Sequence, residues 1–120
     1  MRKTVFIVDD VGINLSVAKS AIGNEFTVVT VSSAKKALAL LEKIPAHLML
    51  LDIAMPEISG IEMYEIMKAN DKFKDIPVIF LTAMVNEEQE KAARQGGAAD
   101  FMQKPFEPKV LLEKVRRVLE

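Results

Sequence analysis

The sequence predicts an α/β fold, a doubly wound parallel sheet of five strands with helices on both faces. Three observations carry this. Short apolar runs alternate with longer segments of helical period along all 120 residues. Four of the five short runs are continuously apolar or nearly so, the pattern of strands covered on both faces. Turn residues fall between the segments, at Gly23-Asn24, Pro45-Ala46, Ser59-Gly60, Pro77 and Gly96-Gly97.

Taken in order, Val5 to Val8 is the first strand, and Leu15, Ala18 and Ile22 form the stripe of the helix that follows. Phe26 to Val31 is the second strand, followed by a helix with Ala34, Ala37, Leu38 and Leu41 on one face. Leu48 to Leu51 is the third, and its helix offers Met63, Ile66 and Met67 to the core. Val78 to Leu81 is the fourth. The helix after it, Asn86 to Arg94, has little beyond Ala92 and Ala93 to bury, though Glu87 and Glu88 early and Lys91 and Arg94 late suit the helix dipole. Ala98 to Met102 is a weaker fifth strand, and Leu111, Val115 and Val118 mark a last helix from Pro108 to Leu119. Five strand–helix units imply right-handed crossovers.

Composition narrows the chemistry. A length of 120 residues suits a single domain, 1–120, large enough to fold without disulfide or metal staples. Half the residues are apolar and 28% are charged, which excludes a disordered chain. No apolar run approaches the roughly 20 residues of a membrane span, so a cytoplasmic protein with no membrane partner is expected. Zero cysteines and one histidine leave no thiol chemistry and little prospect of an imidazole zinc site. Sixteen basic residues against seventeen acidic ones give no electrostatic case for nucleic acid. Carboxylates, hydroxyls and lysines remain.

Ligands of open parallel sheets bind beyond the carboxyl ends of the strands. Those positions hold Asp9 and Asp10 after strand one, Asp52 after strand three, Thr82 after strand four, and Lys104-Pro105 after strand five. A single aspartate after a strand is ordinarily a helix N-cap. Three that converge are a different matter. With one lysine they sum to −2, and like charges about 4 Å apart repel by roughly 4 kcal/mol per pair at an effective dielectric near 20. Such a cluster protonates or recruits a cation. Oxygen-only ligands select Mg²⁺ or a similar hard ion, which binds through one or two carboxylates plus phosphate oxygens. Lys104 and Thr82 supply donors to a phosphoryl group, and a carboxylate beside a metal can attack phosphorus.

The runs Val5 to Asp10, Leu50 to Pro56 with Gly60, Val78 to Ala83, and Gly97-Ala98 through Phe101 to Lys104-Pro105-Phe106 together resemble the receiver domain of two-component response regulators. The resemblance covers essentially the whole chain and implies strand order 2-1-3-4-5. It implies Asp52 as phosphoacceptor, with Mg²⁺ held by Asp10, Asp52 and the backbone carbonyl of Ala54, and by Asp9 mainly through water. Lys104 would pair with Asp52 and then with the phosphoryl group, from a cis Lys104–Pro105 bond. Thr82 and Phe101 would form the switch, which reshapes the face of helix four, strand five and helix five.

The implied partners are a sensor histidine kinase or phosphotransfer protein upstream, and a downstream protein or output domain. The implied state is a monomer or a phosphorylation-dependent dimer. The chain would act as a switch that catalyses only its own phosphorylation and dephosphorylation. Ala54 and Met84 flank the expected path of the hydrolytic water and lack groups to orient it, which predicts slow dephosphorylation. His47 precedes strand three, away from the rim, and reads as ordinary surface. Two alternatives compete: a Mg²⁺-dependent aspartyl-phosphate phosphohydrolase, and a scaffold that works without phosphorylation. The first needs a second carboxylate where Ala54 stands; the second would ordinarily have lost one of the site residues.

Overall fold

The computed structural model describes residues 2–83 and 87–120. Five strands, β1 (Thr4–Val8), β2 (Thr27–Val31), β3 (Leu48–Asp52), β4 (Val78–Thr82) and β5 (Asp100–Gln103), form one parallel sheet in the order β2-β1-β3-β4-β5. The helices α1 (Gly12–Ile22), α2 (Ala34–Leu41), α3 (Gly60–Lys68), α4 (Glu87–Gln95) and α5 (Pro108–Leu119) alternate with them. Strand order and class agree with the sequence-based expectation.

Continuous apolarity maps onto the middle of the sheet. β3 is buried at every residue, and β1 and β4 at four of five. The edge strands β2 and β5 each bury a single residue, so their weaker or broken apolar runs follow from their place in the sheet.

Alternation along the central strands divides the core in two. Phe6, Val8, Met49, Leu51, Val78 and Phe80 face α2 and α3. Val5, Ile7, Leu48, Leu50, Ile79 and Leu81 face α1 and α5. The predicted stripes of α1, α2 and α5 lie inward, with Ala18, Ile22, Ala34, Ala37, Leu41, Leu111 and Val115 buried.

The stripe of α3 differs from the prediction at one position. Gly60, Met63, Tyr64 and Met67 are buried, whereas Ile66 is 45% exposed. Positions 60, 63, 64 and 67 complete a 3.6-residue period, and residue 66 falls off that face. β5 starts at Asp100 rather than Ala98, although the amide of Ala99 already donates to the Val78 carbonyl at 2.8 Å.

Caps and one proline fix the helix starts. Ser33 caps α2 by accepting from the Lys36 amide at 3.2 Å. Ser59 and Glu62 form a reciprocal capping box at α3. Pro108 opens α5, where a missing N–H costs nothing. At the opposite end of the sheet, His47 is exposed and its Nδ1 accepts from the Thr4 amide at 2.9 Å. Among the described residues, no helix is long and apolar enough to cross a membrane.

Candidate phosphoacceptor site

Asp52 is the last residue of β3 and Thr82 the last of β4, with Asp9 and Asp10 one and two residues past β1. Because β1, β3 and β4 are neighbours, these residues share one rim. None of the three aspartates caps a helix. The N-cap of α1 is Val11, without a side-chain bond, and that of α3 is Ser59. Asp9 turns inward instead, fully buried, and its Oδ1 accepts from the Val11 amide at 2.9 Å.

One oxygen from each of Asp9, Asp10 and Asp52 lies within 4.8 Å of the other two. Asp9 and Asp52 are buried and Asp10 is exposed, so the cluster opens to solvent on the Asp10 side. Lys104 enters from beyond β5. Its Nζ sits 2.5 Å from Asp9 Oδ2 and 3.1 Å from Asp52 Oδ1, with the side chain 11% exposed. The Lys104–Pro105 peptide bond is cis, and the Lys104 amide donates to the Thr82 carbonyl at 2.6 Å. Lys104 is therefore no solvated loop lysine. Sequence reasoning paired it with Asp52; the structure adds Asp9 as the nearer partner.

Burial pushes the Asp52 carboxyl up to about 6. Lys104 opposes this, while the charge of Asp9 and a contact from Asp10 reinforce it. An acidic group held near 6 in a cluster of three is one that a cation would discharge. Oxygen-only donors, two of them buried and all mutually within reach, fit a hard divalent ion.

Gly60 sets the roof of the site. Its amide donates to the Ile53 carbonyl at 2.9 Å, and a Cβ there would stand 2.2 Å from the Asp52 carbonyl oxygen. Only glycine permits that approach. Between them, Ile53 and Met55 are buried while Ala54 is exposed. Met84 lies outside the described residues.

Phe101 is half-buried on β5. Its ring packs 5.4 Å from that of Phe80, and the Arg94 guanidinium covers it at 5.5 Å. Arg94 also pairs with Asp100 at 3.5 Å, and Asp100 with Lys114 of α5 at 2.9 Å. These contacts, and the buried Tyr64, went unnoticed in the sequence. The available signal was that Tyr64, the chain's one tyrosine, stands on the buried stripe of α3.

The family model of the response regulator receiver domain matches residues 5–116. This chain belongs to that family. The polar-differentiation response regulator DivK of Brucella ovis is 31% identical over 120 residues, covering 99% of this chain and 98% of DivK. A Vibrio cholerae protein named "Probable cyclic di-GMP phosphodiesterase" is 37% identical over 117 residues. The receiver spans 26% of that relative's length. Among solved structures, the Vibrio cholerae chemotaxis protein CheY4 superposes with a TM-score of 0.93 at 26% identity, covering 99% of this chain and all of that one. The beryllofluoride-activated receiver domain of DrrB superposes at 0.88 with 28% identity, covering 99% of this chain and 98% of that one. The receiver is thus a CheY- and DivK-like signalling module.

Proposed function

We propose that residues 1–120 form one receiver that accepts a phosphoryl group on Asp52, in a Mg²⁺-dependent reaction, and converts it into a change of the α4-β5-α5 face. The observation that carries this is the Lys104 ammonium bridging Asp9 and Asp52, beside Asp10, at the end of the buried central strands. The charge of that site, −2, is matched by one divalent ion.

Asp10, Asp52 and the Ala54 carbonyl would hold Mg²⁺, with Asp9 acting through water. The ion supplies charge neutralisation at the phosphoryl oxygens. Asp52 provides the nucleophile: a carboxylate oxygen bonds to phosphorus as the bond to the donor breaks, and the donor keeps the electron pair. For a phosphohistidine donor that leaving group is imidazole. Lys104 donates to the transferred group, and the Thr82 hydroxyl moves towards it. The space Thr82 vacates admits the ring of Phe101. Driving such a switch from 1:99 to 99:1 takes about 5.5 kcal/mol of differential affinity. Contacts from two cationic partners and a hydroxyl to a dianionic group are of that order.

The donor is a sensor histidine kinase or a phosphotransfer protein, and the output is a downstream protein or a domain of the same polypeptide. A cytoplasmic setting and a phosphorylation-dependent dimer fit this role. The module catalyses only its own phosphorylation and dephosphorylation. The exposed Ala54 offers no polar side chain to orient attacking water, which favours slow hydrolysis of the aspartyl-phosphate.

Acetyl phosphate with Mg²⁺ tests the reading. Mass spectrometry should find one added phosphoryl group on wild type, located at Asp52, and none on Asp52→Asn. No labelling of wild type, or equal labelling of both, overturns it.

A further inference from the structure

Tyr64 is 6% exposed, and its ring meets that of Phe80 edge-on at 5.3 Å and 82°. An apolar side chain would fill that place in the core as well. The phenol is what a leucine lacks, and a buried tyrosine hydroxyl needs a partner. Here the partner belongs to another element: the hydroxyl donates to the Gly96 carbonyl at 2.9 Å, immediately after α4. Next to it Gly97 has φ of 101°, and its amide donates to the Arg94 carbonyl at 3.1 Å. A Cβ on Gly97 would sit 3.3 Å from the Tyr64 hydroxyl, so the turn closes tightly over the phenol.

The connection then runs onward to the switch. The residue whose carbonyl is held by Gly97 is Arg94, and its guanidinium covers the ring of Phe101. The ring of Phe101 also packs on Phe80, the ring that Tyr64 touches. We propose that Tyr64 is a positioning residue for the switch: it ties the turn just after α4 to α3 and so keeps Arg94 over Phe101 in the resting form. The coupling rests on the reading above, in which Phe101 must leave that cover. The tether itself does not. Losing the hydroxyl removes a bond that restrains the resting form, so the active form becomes easier to reach by the fold-change that bond supports, about fivefold.

Tyr64→Phe keeps the ring contacts and removes the donor. In the full chain, hydrogen exchange of a peptide over residues 94–99 should quicken about fivefold, with β1 and β3 unchanged. Gly97→Ala, which strains the turn at φ 101° and presses a methyl towards the phenol, shows the local pattern of a loosened turn for comparison. The concentration of beryllofluoride that half-activates the Mg²⁺-loaded protein should fall about fivefold in Tyr64→Phe. Unchanged exchange in Tyr64→Phe, or faster exchange spread evenly over the sheet, overturns the tether. Faster local exchange with an unchanged beryllofluoride response overturns its coupling to Phe101. A wild type that ignores beryllofluoride counts against the phosphoacceptor reading instead, and the exchange data still decide the tether.

Discussion

Lys104 lies closer to Asp9 than to Asp52, 2.5 Å against 3.1 Å, although Asp52 carries the raised carboxyl. Asp9 thus holds the ammonium partly away from the proposed nucleophile while adding its own negative charge nearby. Both effects add to burial, the main cause, in keeping Asp52 reluctant to ionise. Asp9→Asn should therefore lower the Asp52 pKa from about 6 towards the ordinary aspartate range. Lys104→Met should raise it further. Side-chain ¹³C titration reads both, and a shift of the wrong sign in either variant contradicts this division of labour.

Asp52 also sets a pH dependence of stability. Its pKa is about 6 in the folded chain against 3.8 for a free aspartate, so the folded state holds the proton more tightly. The resulting stabilisation is complete below about pH 3.8 and is lost as pH rises through 6. Asp52→Asn escapes that loss. It should be more stable than wild type at pH 7.5 by on the order of 1 kcal/mol, roughly 4 °C, with the gain shrinking to nothing near pH 4. Urea unfolding at the two pH values measures it.

Asp100 runs in the opposite direction. Despite its partial burial, Lys114, the Phe101 amide and Arg94 hold its carboxyl below the usual range. Its contribution is present above the ordinary aspartate pKa and lost as pH falls through the lowered one. Asp100→Asn should cost about 1 kcal/mol at pH 7, and the difference from wild type should close in strong acid. A cost that persists there would assign the effect to packing.

Divalent binding should appear as thermal stabilisation. At a hundred times its Kd, Mg²⁺ adds about 2.7 kcal/mol to a protein that binds it only when folded. Wild type should show this rise at pH 7.5, a smaller one at pH 5 where Asp52 holds its proton, and little in Asp10→Ala. A rise undiminished in Asp10→Ala would place the ion elsewhere.

Gly60→Ala tests the roof of the site. With a methyl aimed 2.2 Å from the Asp52 carbonyl, either the start of α3 or the end of β3 must shift. A loss of about 3 kcal/mol is expected, at the upper end for overpacking. Differential scanning calorimetry would detect it, and a neutral substitution would mean that the loop yields freely.

Sequence and structure agree best where local pattern and tertiary demand coincide. Continuous apolar runs such as Leu48 to Leu51 marked the central strands because they are too short for a buried helix and are bounded by turn residues, and the aspartates at their ends followed from topology. Ile66 misled because hydrophobicity alone does not fix which face of a helix is inward; Tyr64, mostly ring, took the place. The tie of Lys104 to Asp9 spans 95 residues and depends on side-chain geometry that no local pattern encodes. The same holds for Arg94 on Phe101 and for the phenol on Gly96.

β3, which ends in Asp52, is covered on both faces along its whole length, whereas α4 is a largely polar helix of sequence EEQEKAARQ. On the reading proposed above, input and readout therefore sit at opposite ends of a gradient in apolar content. The proposed acceptor, Asp52, ends a strand with no exposed residue along its length. The proposed readout helix offers the core few apolar side chains. Its polar positions, Arg94 over Phe101 excepted, would be the ones to vary for a different listener while the proposed acceptor keeps its aim.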